Sequence, residues 1–183
     1  MESIATSGVQ FGWIRQALSF QKLFGGSGAM EYRNFGPTDL TVSVLGFGCH
    51  DASLGTRSLW GEDYMDRMSA VVNQAIDQGI TCFDTASHYG GGDSERMLGG
   101  ALGPRRKDVV VVTKCGLGYQ GSQVGRPKGR DGRRESILGQ VDQSLQRLQT
   151  DYIDVLLVHF PDVNTPYEET MGALDSAVQQ GKV

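Results

Sequence analysis

In Val109-Val110-Val111-Val112-Thr113-Lys114 the four valines are a wholly apolar run, and the lysine ends the strand. Continuous apolar runs of this length suit strands covered on both faces, as in a parallel sheet flanked by helices. On its N-terminal side, Asp93 or Ser94 can cap a helix that runs to Leu102, and Ile80 to Asp84 begins another strand. Further back, Met65, Met68, Val71, Val72, Ala75 and Ile76 recur at helical spacing before Gly79, where a helix stop belongs. Leu45 to Cys49 reads as a short buried strand. Tyr32 to Phe35 and Leu40 to Leu45 flank the turn-forming Gly36-Pro37-Thr38-Asp39, which predicts a hairpin. On the C-terminal side, Leu138, Val141, Leu145 and Leu148 line one helix face, and Tyr152 to Val158 is an apolar strand interrupted by Asp154. Thr165-Pro166-Tyr167-Glu168 predicts a capping box with proline at the first helical position, Met171, Leu174, Ala177 and Val178 its apolar stripe, and Gly181 its end.

A hairpin followed by four strand-helix units predicts parallel strands with helical crossovers. Two architectures compete. A doubly wound nucleotide-binding sheet wants a glycine fingerprint at its first strand-helix turn, and Gly46-Phe47-Gly48-Cys49-His50-Asp51 lacks the third glycine. A (β/α)8 TIM barrel gathers its chemistry at the C-terminal ends of its strands. Here successive strand ends carry Asp84, Lys114 and His159, so the α/β barrel explains more. A typical barrel needs ~250 residues. From Met30 the chain supplies enough for about the first four strand-helix units only, and the expectation is therefore a truncated barrel with an N-terminal β-hairpin.

The chain has 183 residues, 17 Lys plus Arg against 21 Asp plus Glu, a formal net charge of −4 and 39% hydrophobic residues. This balance supplies no positive field for phosphate backbones or anionic lipid, so neither nucleic acid nor a membrane is expected as a partner. No apolar run approaches the ~18 residues of a membrane span. Cys49, Cys82 and Cys115 form no C-x-x-C pair, which argues against a disulfide framework or a zinc site and for a reducing, cytoplasmic compartment. Small buried residues are the default reading of all three thiols. Residues 1–29 differ from the rest: Arg15 and Lys22 against Glu2, several serines, and the apolar set Phe11, Trp13, Ile14, Leu18, Phe20, Leu23 and Phe24. They read as an N-terminal extension before Met30, with an organelle-targeting segment as the alternative. Residues 30–183 form the barrel portion.

The chemistry concentrates at four positions. Asp84 ends one strand, Tyr89 follows in the loop Thr85-Ala86-Ser87-His88-Tyr89-Gly90-Gly91, and the next two strands deliver Lys114 and His159. Each has a bland reading: a turn-anchoring Asp, a rim-charge Lys, a hydrogen-bonded core His. Together they fit proton transfer to a carbonyl oxygen as hydride reaches its carbon. A free phenol, with a pKa of about 10, is a weak proton donor, and a close ammonium favours the phenolate. Lys114 is the candidate ammonium, Asp84 its anchor, and His159 a hydrogen-bond donor to the substrate oxygen. No side chain supplies a hydride, so the reading requires a nicotinamide.

These residues carry a resemblance. Phe83-Asp84-Thr85-Ala86 with Tyr89-Gly90 and Ser94-Glu95, Val112-Thr113-Lys114, Leu157-Val158-His159-Phe160-Pro161-Asp162, and the lead-in Thr150-Asp151-Tyr152-Ile153-Asp154 resemble the aldo/keto reductase family over about residues 31–183. The resemblance implies a (β/α)8 barrel, NADP or NAD as cofactor, and a tetrad of Asp84, Tyr89, Lys114 and His159, with Tyr89 as general acid in reduction and base in oxidation. It also implies that Gly46-Phe47-Gly48-Cys49-His50 faces nicotinamide and substrate. Gly48, Cys49 and Asp84 are then cofactor-binding positions, and His50 and His159 touch a carbonyl or sugar substrate.

Trp60 either lines the substrate pocket or packs on a helix. Arg126, Lys128, Arg130, Arg133 and Arg134 against Asp131 make Gly121 to Arg134 basic, read as a solvated loop in preference to a phosphate-gathering one. A half-barrel would leave two sheet edges unpaired, which invites self-association, and little activity is expected of it alone. The alternatives to an oxidoreductase are a non-catalytic half-barrel acting as an interaction or regulatory partner, and an incomplete gene product.

Overall fold

Val110, Val111 and Val112 lie at the centre of a four-stranded parallel sheet, each 6% exposed or less. The structure, a computed structural model, describes residues 29–50, 63–119 and 127–183. Its elements are β1 (Tyr32–Asn34), β2 (Thr41–Ser43), β3 (Gly46–Gly48), α1 (Tyr64–Asp77), β4 (Cys82–Asp84), α2 (Asp93–Leu102), β5 (Val110–Cys115), β6 (Leu117–Tyr119), β7 (Pro127–Arg130), α3 (Arg134–Leu148), β8 (Val155–Val158) and α4 (Tyr167–Gln179). The parallel sheet runs β3-β4-β5-β8, in sequence order. This is the first-to-fourth strand order of a (β/α)8 barrel with its crossover helices.

The register positions the chemistry. Gly48 pairs with Asp84, Asp84 with Val112, and Lys114 with Leu157. Side chains alternate faces along a strand, so Asp84, Val112 and Lys114 share one face while Val111 and Thr113 face the helices. There Val111 joins Phe83, Met97, Leu98, Leu102, Val141, Leu148 and Ile153 in the main core. At the opposite end of β4, Ser43 and Thr81 exchange two hydrogen bonds, each backbone N–H donating to the other's hydroxyl at 2.9 Å. The Tyr32 hydroxyl donates to Gly79 O at 3.0 Å. The predicted hairpin, β1 with β2, is thereby fastened to the N-terminal end of the sheet, away from Asp84 and Lys114.

Several local expectations fail for physical reasons. Neither Asp93 nor Ser94 caps α2; its N-cap is the left-handed Gly92, because Asp93 pairs with Arg96 and Ser94 donates to Cys49 O. The capping box before α4 does not form either. Thr165 donates instead to Asp162 Oδ2 at 2.7 Å, and Pro166 occupies the N-cap, one position before the helix. The stripe of α4 is rotated: Ala173 and Ala177 are fully buried while Met171 and Val178 are more than half exposed. Val71 likewise points outward from α1. The last strand begins at Val155, not Tyr152. Asp154 stands in for the ladder there, its carboxylate accepting the Val111 N–H at 2.9 Å and pairing with Arg106 at 2.7 Å.

The basic segment also departs from a simple loop. Pro127–Arg130 is β7, paired antiparallel to β6. Arg133 bridges Asp131 at 2.7 Å, and Arg134 donates to Gly172 O and Ser176 Oγ. Arg126 lies outside the described residues, as do residues 1–28 and Trp60. Among the described residues no helix is long and apolar enough to cross a membrane.

Candidate active site

Parallel pairing continues past the formal strand ends and builds a rim. Cys49 N donates to Asp84 O at 2.8 Å, Thr85 N to Val112 O at 2.8 Å, and His159 N to Cys115 O at 2.8 Å. Four consecutive strand ends therefore hold their next residues at neighbouring places, as sequence-order pairing demands. Tyr89 arrives differently. It opens a single 3-10 turn, Tyr89–Gly92, in which Gly90, Gly91 and Gly92 all take left-handed φ of 61°, 69° and 95°. Three left-handed residues in succession are open to glycine alone at low cost, so the Gly-Gly-Gly run is what turns the phenol back over the strand ends.

The structure brings Asp84, Tyr89, Lys114 and His159 together. Lys114 Nζ donates to Asp84 Oδ1 at 2.7 Å, Thr85 O at 2.8 Å and the Tyr89 hydroxyl oxygen at 3.2 Å. Its ammonium also lies 4.8 Å from the centroid of the Tyr89 ring. An ammonium has three N–H groups and no acceptor, so all three are used. The phenol oxygen must then accept from Lys114, which leaves its own O–H free to donate elsewhere. Lys114 is 12% exposed and Asp84 44%, so the pair sits at a half-open mouth, where its main effect is to fix the direction of the ammonium.

All three histidines of the chain gather around this phenol. The His50 ring meets Tyr89 edge-on at 4.7 Å, His88 lies 5.6 Å from Tyr89, and His159 lies 5.8 Å from Tyr89 and 5.0 Å from His88, between ring centroids. His159 is braced from behind by Phe160, parallel at 4.8 Å, on which the Arg130 guanidinium rests at 5.4 Å. The Nδ1 atoms of His88 and His159 are enclosed without a hydrogen-bond partner. Protonating an enclosed Nδ1 would bury an unpaired N–H, so each ring is favoured neutral with its proton on Nε2. Burial first, then the mutual repulsion of the ring charges and Lys114, pushes the pKa of His159 below the ordinary histidine value; burial, His50 and Lys114 do the same to His88. Their Nε2 atoms are not enclosed and have no hydrogen-bond partner among the described residues.

The remaining expected positions divide. Gly48 stands beside Asp84 on the rim, and among the described residues a Cβ there would meet nothing within 4 Å. Cys49 is fully buried, and burial with the nearby Asp84 pushes its thiol up to about 12. Its backbone is engaged inside the protein as well, the N–H donating to Asp84 O and the carbonyl accepting from Ser94 Oγ at 2.8 Å, so the expected cofactor contact at Cys49 has neither an exposed side chain nor a spare backbone group. Since that uses the only Ser94 proton, Thr85 Oγ1 must be the donor in its 2.7 Å contact with Ser94. Trp60 falls outside the described residues. Among those described, no group of three or more His, Cys, Asp or Glu side chains could hold a metal ion.

Sequence reasoning missed the support beneath the rim. Glu95 is fully buried; its Oε1 accepts from Thr113 Oγ1 at 2.6 Å and its Oε2 from Arg147 Nε at 2.6 Å. Thr113 is the neighbour of Lys114, and Arg147 lies against Gly92 at the end of the tyrosine turn. A glutamate three residues past a glycine run, with an arginine on the next predicted helix, was the available signal. Periodicity alone could not pair them.

A parallel sheet in sequence order, with polar side chains converging at its C-terminal strand ends, defines the class: the rim of a (β/α)8 barrel over its first four strands. Solved structures agree. The chain matches the holo form of the aldo-keto reductase AKR11C1 from Bacillus halodurans with a TM-score of 0.71 and 34% identity, over 83% of this chain and 47% of that one. It matches the glycerol dehydrogenase AKR11B4 from Gluconobacter oxydans with a TM-score of 0.73 and 32% identity, over 85% and 47%. The model of the "Aldo/keto reductase family" matches residues 46–183, and the chain belongs to that family. It is 40% identical over 159 residues to the L-galactose dehydrogenase of Arabidopsis thaliana (84% of this chain, 46% of that protein). To the aldo-keto reductase YhdN of Bacillus subtilis it is 37% identical over 156 residues (84% and 45%). The chain thus spans about half the length of the curated relatives it matches.

Proposed function

We propose that this chain belongs to an NAD(P)-dependent oxidoreductase that interconverts a carbonyl compound, an aldehyde, ketone or sugar, with its alcohol, and that Tyr89 is the proton-transfer residue. The observation that carries the reading is the Lys114–Tyr89 contact, in which the phenol oxygen accepts and so keeps its O–H for a substrate. The donor set, a phenol, an ammonium and neutral imidazoles, moves protons only, so a hydride source is needed beside it. The place at Gly48 beside Asp84, where no described residue would meet a Cβ, suits a flat ring, and Gly48 and Asp84 are the positions that would face it. When bound, nicotinamide supplies or accepts the hydride.

The protein's own part is then as follows. His159 donates from Nε2 to the carbonyl oxygen and orients it. Tyr89 gives its O–H proton to that oxygen in reduction and takes it back in oxidation. Lys114 stabilises the phenolate left behind, and Asp84 with Thr85 O keeps the ammonium aimed. Positioned acid catalysis of this kind contributes about 10²- to 10⁴-fold. The reading is tested by turnover of aldehyde, ketone and aldose panels with NADPH and NADH in a completed, full-length barrel that carries this chain's residues. Tyr89→Phe should lower kcat by at least about 10²-fold with little change in KM. An unchanged kcat in Tyr89→Phe would refute the assignment.

A further inference from the structure

The rings of Tyr89, His88 and His159 form a triangle with sides of 5.0, 5.6 and 5.8 Å. Two of its corners are occupied by the proton-transfer reading: Tyr89 and His159 both address the reacting oxygen. The third corner, His88, is unused by it. His88 precedes Tyr89 in the chain and is held by the same turn, so it does not wander independently of the phenol. Its Nδ1 is enclosed without a partner, which leaves Nε2 as the ring nitrogen that carries the proton and can donate. Lys114 cannot serve a second oxygen, because its three N–H groups are already used.

We propose that His88 is a specificity-determining residue: its Nε2–H donates to an oxygen on the carbon next to the reacting one, so the site prefers α-hydroxycarbonyls and vicinal diols to simple aldehydes and alcohols. An oxygen one carbon along from the reacting one is within reach of two donors whose rings are 5.0 Å apart. A substrate lacking it would close over the His88 N–H and leave that donor unpaired, which is the arrangement by which a polar site rejects its apolar analogue. The assignment rests on the oxidoreductase reading, and its test is chosen to fail separately from it.

The chain has three histidines, hence three imidazole resonances to follow by NMR while propylene glycol or n-propanol is added. Propylene glycol should move the His88 and His159 resonances together, with an affinity roughly 2- to 10-fold above that of propanol, the range one additional neutral hydrogen bond supplies. In His88→Phe, which keeps a ring and removes the donor, the two alcohols should bind equally. His88→Gln, which restores an N–H donor, should recover part of the preference. Equal affinities in the unaltered chain overturn the role of His88, and the proton-transfer reading still stands if Tyr89→Phe abolishes turnover. A diol preference that survives in His88→Phe also overturns it. No response of His159 to either alcohol, together with undiminished turnover in Tyr89→Phe, overturns both.

Discussion

Arg147 Nε meets Glu95 Oε2 at 2.6 Å directly beneath Gly92, where a Cβ would stand 2.5 Å from the arginine Cδ. One ion pair thus ties α3 to α2 and to the turn that carries Tyr89, and through Thr113 to the strand that carries Lys114.

Removing the cation should expose the cost of this arrangement. Arg147→Met leaves a fully buried carboxylate with Thr113 as its remaining partner, and breaking a buried pair in this way costs about 3–5 kcal/mol. Urea unfolding should show that loss, and Glu95→Gln combined with Arg147→Met should recover part of it, because the stranded charge is gone.

Two adjacent glycines of α2 should respond with opposite sign. At Gly99 a Cβ would lie 2.4 Å from the Leu148 carbonyl oxygen, and backbone at a helix end cannot yield as a side chain can. Gly99→Ala should therefore destabilise by roughly 1–3 kcal/mol. At Gly100 a Cβ meets nothing within 4 Å among the described residues, so Gly100→Ala should stabilise by about 0.5–1 kcal/mol through helix propensity. Thermal or urea midpoints of the two variants decide this.

Acid should weaken the fold from near neutrality. His88 and His159 titrate lower in the folded chain than the ordinary 6.5, so below about pH 6.5 the unfolded chain takes up protons that the folded one refuses, and stability falls as pH falls. Asp162 adds a later loss. The Thr165 hydroxyl and the backbone N–H groups of Gly132 and Asn164 hold it down at about 2, so its contribution is present above its unfolded value near 3.8 and disappears as pH drops toward 2. Urea midpoints measured from about pH 8 to about pH 5 should decline, and His88→Gln with His159→Gln should flatten that decline.

The thiols should be slow to react while the chain is folded. Burial pushes Cys49 and Cys115 up to about 12, and burial with Asp84 and Asp154 raises Cys82 as well. Cys82 is the least enclosed of the three. A thiolate-directed reagent near neutral pH should modify Cys82 first and the other two only on unfolding, as read by mass spectrometry; prompt labelling of Cys49 would contradict the buried placement.

Strand order and the gathering of Asp84, Tyr89, Lys114 and His159 were legible because both follow from short-range rules: period-two and period-3.6 patterns set the elements, and parallel order sets the neighbours. What was not legible depends on competition for hydrogen bonds. Ser94 and Thr165 have the residue types of helix caps, yet their hydroxyls are turned away from the helix N–H groups, Ser94 toward Cys49 O and Thr85 Oγ1 and Thr165 toward Asp162. Residue-by-residue patterning is equally blind to how tightly two helices approach, which is why Ala173, outside the expected stripe, is buried with the expected Ala177 while Met171 and Val178 are exposed. The hairpin of β6 and β7 escaped notice because its strands are short and rich in glycine and charge.

Thr113 and Lys114 are consecutive yet stand on opposite faces of β5, one bonded to Glu95 among the helices and the other to Asp84 and Tyr89 at the mouth. The framework and the reactive surface can therefore be tuned separately within a single strand. Sequence drift on the helix-facing positions registers as a change in durability, and drift on the rim-facing ones as a change in the groups the mouth presents.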